Sequence, residues 1–110
     1  LLTGRHQSRF GFDRNPNGDP ADVRGGLPKS EEMLSEMLKR SGYYSMAIGK
    51  WHLGTHETLR PRARGFDEFF GFLEGGHSYY PEETEFEDIS DSKKPYDWYR
   101  TKLVDNGKRV

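Results

Sequence analysis

The feature that most constrains this chain lies between Glu31 and Gly49, where the spacing of apolar residues changes across a single glycine. Met33, Leu34, Met37 and Leu38 recur at the three- and four-residue intervals of one helix face. Ser30 precedes them as an N-cap. Glu31 and Glu32 stand where the helix dipole favours anions, and Lys39 and Arg40 where it favours cations. Gly42 occupies the place of a left-handed C-cap. Together these signals predict a helix from Glu31 to Arg40, with Met33 and Met37 in the core. Tyr43–Ile48 is short and mostly apolar, and predicts a buried strand ending at Gly49. Helix, glycine, strand, glycine is half of an αβ unit, so the expected fold class is α/β.

Around this unit the chain is less regular. Gly11–Pro28 is rich in Gly, Pro, Asn and Asp and predicts a long surface loop. Arg60–Arg64, with Pro61, is read as loop, and Phe66–Leu73 as an aromatic packing segment whose period fits helix or strand. Glu82–Asp91 is acidic and reads as a solvated loop. Tyr99–Val104, the turn at Asn106-Gly107 and Lys108–Val110 predict a β-hairpin.

A length of 110 residues suffices for one small domain. Hydrophobic residues are only 32% of it, and the mean hydropathy is -1.00, both poor for an independent globule. Aromatics, at 14%, are abundant and bury large areas each. That combination suits part of a larger domain whose neighbours complete the core, truncated here at both ends. Lys and Arg number 17 against 18 Asp and Glu, a net charge of -1, which gives no reason to expect nucleic acid or an anionic membrane as partner. There is no cysteine and hence no disulfide framework. No run approaches the roughly 18 apolar residues of a membrane span.

The chemistry concentrates in Gly42–Gly54, where a cation and an imidazole follow directly on the predicted strand. In open α/β sheets ligands bind at the carboxyl ends of strands. If Lys50–His52 stays extended, Lys50 and His52 share a face while Trp51 turns away as an anchor. An ammonium beside an imidazole suits an anionic ester, one supplying charge and the other proton transfer. Taken alone, such a pair is also compatible with solvated or merely hydrogen-bonded side chains.

The string Gly42-Tyr43-Tyr44-Ser45-Met46-Ala47-Ile48-Gly49-Lys50-Trp51-His52 resembles the second sulfatase signature, which closes on glycine, lysine, an aromatic residue and histidine. Leu1-Leu2-Thr3-Gly4-Arg5 resembles the tail of the first signature, and Arg64-Gly65-Phe66-Asp67-Glu68-Phe69-Phe70-Gly71-Phe72 the segment that follows the Lys-His site in arylsulfatases. The resemblance runs from Leu1 to about Tyr80 and more weakly to Val110. It is closest to the arylsulfatase B-like branch and its bacterial polysaccharide-degrading relatives.

The resemblance implies an alkaline-phosphatase-like α/β catalytic domain that hydrolyses sulfate esters of an aryl or carbohydrate substrate. It implies a formylglycine nucleophile, made from a Cys or Ser upstream of Leu1, and a calcium ion whose ligands also lie outside this chain. Lys50 matches the lysine that contacts sulfate, and His52 the histidine that bonds the formylglycine hydroxyl and aids sulfate release. A periplasmic, secreted or lysosomal location is implied in the same way. His56 and His77 are candidates for sugar contacts at the pocket mouth, although exposed loop histidine is the plainer reading. Asp105-Asn106-Gly107 resembles a sulfatase calcium motif but is read as the hairpin turn, so no metal ligand is expected here. Arg60, Arg62 and Arg64 are read as a solvated or salt-bridged face. Two other functions stay open: a phosphonate or phosphodiester hydrolase of the same superfamily, and a catalytically dead polysaccharide-binding homologue.

Overall fold

The computed structural model describes residues 1–16, 18–77 and 103–109; the acidic stretch Glu82–Asp91 and the start of the hairpin, Tyr99–Lys102, lie outside them. One α-helix, α1 (Leu34–Arg40), precedes strands β1 (Met46–Lys50), β2 (Glu68–Phe72), β3 (Val104–Asp105) and β4 (Lys108–Arg109). The sheet order is β1-β2-β3-β4, with β1 and β2 parallel and the others antiparallel. This mixed helix and sheet bears out the α/β expectation.

Helix α1 begins later than the sequence predicts. Ser30 lies in a turn closed by the Glu31 amide on the Pro28 carbonyl at 3.0 Å. The side chain of Glu31 turns away to Arg5. The helix instead starts after Met33, whose amide is capped by Glu36 Oε2 at 2.7 Å. The Leu34 amide donates to the Leu2 carbonyl at 2.7 Å, so the first residues of the chain supply a second cap. The predicted C-cap holds. Gly42 has φ of 82°, and the amides of Gly42 and Tyr43 return to the carbonyls of Lys39 and Leu38 at 3.0 Å each, a Schellman motif.

Strand β1 starts three residues later than expected and is not buried, since it forms the edge of the sheet. Its outer face carries Met46 and Ile48, the latter 75% exposed, because nothing among the described residues covers it. Met37, expected in the core, is also exposed, whereas Met33 is fully buried. The core is Leu27, Met33, Trp51, Phe69 and Leu73, with Leu2, Phe10, Phe12, Ala47, Leu53, Phe66 and Val104 packed against it. It lies on the inner face of the sheet, under the long loop.

The ambiguity over Phe66–Leu73 resolves as strand, with Ala47 opposite Phe69 and Lys50 opposite Phe72. Asp67 fixes that register. It receives the Ser45 amide at 2.9 Å on its carboxylate, returns its own amide to the Ser45 carbonyl at 2.8 Å, and pairs with Lys39 at 2.9 Å. One aspartate thus ties the starts of both parallel strands to the end of α1. The hairpin forms as expected, turning at Asn106 and Gly107, whose φ values are 49° and 91°.

Candidate active site at the ends of the parallel strands

The two parallel strands end side by side, and their backbone pairing continues past the last strand residue. The Trp51 amide donates to the Phe72 carbonyl and the His52 amide to the Leu73 carbonyl, each at 2.9 Å. Trp51 is buried, donates its indole N–H to the Leu59 carbonyl at 3.0 Å, and meets Phe66 edge-on at 6.1 Å. The expected anchoring role of Trp51 is therefore what the structure has.

His52 departs from simple alternation. Its φ is 54°, a left-handed conformation uncommon outside glycine and asparagine, so the extended backbone ends there. Burial first, and Lys50 second, hold the His52 pKa below its ordinary value of 6.5. The His52 imidazole therefore favours its neutral form, two residues on from the Lys50 cation.

His77 packs against the end of β2. Its ring stacks on Phe72 at 5.5 Å with the planes 23° apart. Phe72 is the register partner of Lys50, so the two lie on one face of the sheet. His56 Nδ1 accepts the Thr58 amide at 3.2 Å and lies 2.9 Å from Thr58 Oγ1, making His56 the cap of a short 3₁₀ turn at Glu57–Leu59.

Glu74 is the residue that the sequence reading missed. It is 2% exposed, and burial pushes its carboxyl pKa up, against the opposing pull of the Gly75 amide and of Lys50. Its sole sequence signal was an acid closing an aromatic strand. Of the three loop arginines, expected to be solvated or salt-bridged, Arg62 is exposed and Arg64 pairs with Glu36, although Arg64 does so from inside the fold. Arg60 donates to the Thr55 carbonyl at 2.8 Å, and Arg62 to the Asn106 carbonyl at 3.2 Å. Arg64 is buried and engaged on every side.

Calcium finds no fit among the described residues, where no group of three or more Asp, Glu or His could hold an ion. In the Asp105-Asn106-Gly107 turn, Asn106 Oδ1 already accepts the Phe69 amide at 3.0 Å. Asp105 Oδ1 accepts Asn106 Nδ2 at 3.1 Å.

Lys50 and His52 thus stand where two parallel strands end side by side, and the sulfatase family model matches residues 1–108. The chain belongs to the sulfatase family. It is 47% identical over 77 residues to N-acetylgalactosamine-6-sulfatase of Homo sapiens, covering 64% of this chain and 15% of that protein. It is 48% identical over 71 residues to arylsulfatase G of Homo sapiens, covering 13% of the latter. The crystal structure of Ps i-CgsB superposes with a TM-score of 0.78 at 33% identity, covering 99% of this chain and 24% of that one. The same protein has been solved in complex with k-i-k-neocarrahexaose. The sulfatase segment described here is thus a small share of the length of its relatives. No helix among its described residues is long and apolar enough to cross a membrane.

Proposed function

We propose that this chain is part of the catalytic domain of a sulfuric ester hydrolase and supplies two of its working groups, Lys50 and His52. The observation that carries the reading is the placement of Lys50 and His52 where β1 and β2 end side by side, the His52 amide continuing the pairing to the Leu73 carbonyl at 2.9 Å. The ammonium offers charge to a sulfate oxygen, where positive groups placed in advance stabilise developing negative charge. The imidazole, unprotonated near neutral pH, is able to take a proton from a hydroxyl in the site. His77, stacked on Phe72, and His56, at the turn Glu57–Leu59, are proposed contacts to the alcohol portion of the substrate.

A carbohydrate sulfate is the proposed substrate class, supported by the oligosaccharide bound by Ps i-CgsB. The nucleophile is proposed to be a formylglycine outside this chain, and family resemblance supports calcium dependence and a location outside the cytosol. No cysteine is present within these residues to serve as its precursor. The test is a parallel assay of the intact enzyme carrying this segment on an aryl sulfate and on the matching aryl phosphodiester. Preference for the sulfate by about a hundredfold or more in kcat/KM, equal to about 3 kcal/mol, is expected. Preference for the phosphodiester overturns the reading in favour of a phosphoester hydrolase. Tight polysaccharide binding without turnover of either overturns it in favour of a binding protein.

A further inference from the structure

The turn at Leu27–Glu31 bridges two segments that are far apart in sequence. On one side, the Leu27 amide donates to the Leu53 carbonyl at 2.9 Å, one residue beyond His52. The backbones nearly touch there: a Cβ on Gly26 would fall 2.3 Å from the Leu53 carbonyl oxygen, so only glycine fits. On the other side, Nη1 of Arg5 lies 2.7 Å from both carboxylate oxygens of Glu31. The Leu34 amide also holds the Leu2 carbonyl at 2.7 Å.

Arg64 locks this bridge from beneath. It is 1% exposed. Its Nη1 donates to the Leu27 carbonyl at 3.0 Å and its Nη2 to the Glu31 carbonyl at 2.7 Å. Its Nε reaches Glu36 Oε1 at 3.1 Å. A planar guanidinium satisfies three acceptors in fixed directions, which a lysine does not. Both bridged segments line one cavity of about 450 Å³, with Leu2, Thr3 and Arg5 on one wall, Leu53 on another and Leu27 between them.

We propose that Arg64, Glu31 and Arg5 form a positioning clamp that fixes the spacing of the Leu1–Arg5 segment from the Lys50–Gly54 segment. The clamp thereby sets the width of the cavity that Leu2, Arg5, Leu27 and Leu53 line. Its effect on turnover rests on the sulfatase reading above, whereas its effect on backbone order does not. None of the three is a catalytic residue in this proposal. They act through the position of others, and a misplacement of about 1 Å in an active site costs on the order of a hundredfold in rate.

The test uses the intact enzyme containing this segment, with Arg5→Glu, which sets two carboxylates against each other. The double variant Arg5→Glu/Glu31→Gln restores a donor and acceptor pair. Arg5→Glu is expected to speed amide exchange at Leu34 and Leu27 about tenfold. It should lower kcat per active site by a similar factor with KM within about twofold, inside the hundredfold ceiling for such misplacement. The double variant is expected to recover most of both. Should Arg5→Glu fail to fold, Arg5→Leu gives the same readouts without repulsion. Exchange and kcat at parental values overturn the clamp, as does a lowered Tm with kcat per active site unchanged. If the parent hydrolyses no sulfate ester, the functional reading fails by itself, and exchange with its rescue still decides the clamp.

Discussion

Gly49 and Gly71 lie directly opposite one another across the parallel β1–β2 pair, and a Cβ on Gly71 would fall 1.9 Å from the Gly49 carbonyl oxygen. The close approach sits one residue before Lys50 and Phe72, so the spacing of the two strand ends depends on it. Gly71→Ala must push the strands apart or twist one of them. We expect a loss of at least about 2 kcal/mol, in the range of overpacked cores. A lowered midpoint in urea denaturation of the intact protein checks this, and an unchanged midpoint refutes it.

Asn106 links the hairpin to β2 by imitating a strand residue. Its amide donates to the Phe69 carbonyl at 2.8 Å, and its side-chain oxygen accepts the Phe69 amide at 3.0 Å. Its φ of 49° adds a conformation that asparagine tolerates better than alanine. Asn106→Ala should therefore cost about 1–2 kcal/mol through the lost, partly buried hydrogen bond. Because these groups serve the turn, Asp105→Ala should leave calcium affinity of the intact enzyme unchanged by titration calorimetry. A tenfold loss would restore the motif to a metal role.

Much of this arrangement is legible in the sequence, and the misreadings share a cause. The C-cap at Gly42, the hairpin turn and the anchoring of Trp51 are local or depend on one strong residue type, and each stands in the structure. The start of α1 differs from the sequence expectation because one of its two caps is long-range: the Leu2 carbonyl lies 32 residues before the Leu34 amide that it receives. Burial of β1 was misjudged because an apolar run states that a face needs covering, not what covers it. Met46, Ile48, Phe70, Tyr43 and Tyr44 stand exposed among the described residues. Arg64 was read as surface because arginine usually is, while three acceptors from two other segments hold it inside. At the site, Lys50 and His52 could be named from their motif. Glu74 and the stacking of His77 on Phe72 could not, since both depend on the parallel register.

The depressed pKa of His52 gives a pH dependence of fixed sign. Burial, then Lys50, disfavours the imidazolium in the folded state, whereas the unfolded chain titrates near 6.5. Below that value the unfolded state takes up a proton before the folded one does, so this group makes the protein less stable as pH falls. The loss accumulates from about the unfolded pKa down to the lower folded value and then levels off. Lys50→Met should raise the folded pKa of His52 while leaving it below 6.5, because burial, the larger cause, remains. Titration of the imidazole signals by NMR reads both values, and a pKa indifferent to Lys50 would show that the two groups do not interact.

Lys50 and His52 should fail in different ways when removed from the intact enzyme. Lys50 stands at the end of β1, and in the proposed role its ammonium meets the anion, so Lys50→Ala removes charge from bound substrate and transition state alike. A charge-assisted contact to developing negative charge is worth about 3 kcal/mol, and kcat/KM should fall roughly a hundredfold with KM raised. His52 is partly buried, its pKa held below the ordinary value, and its proposed contribution is a proton transfer. His52→Ala should lower kcat by about a hundredfold with little change in KM, as loss of general acid–base help does. The pH profile separates the roles further. With His52 present, kcat should decline as pH drops through the folded pKa of its imidazole, below 6.5. That acidic limb should vanish in His52→Ala and persist in Lys50→Ala, shifted to higher pH because the cation that depresses the imidazole is gone. If His52→Ala raises only KM and keeps the acidic limb, His52 is a substrate contact and the proton is handled elsewhere.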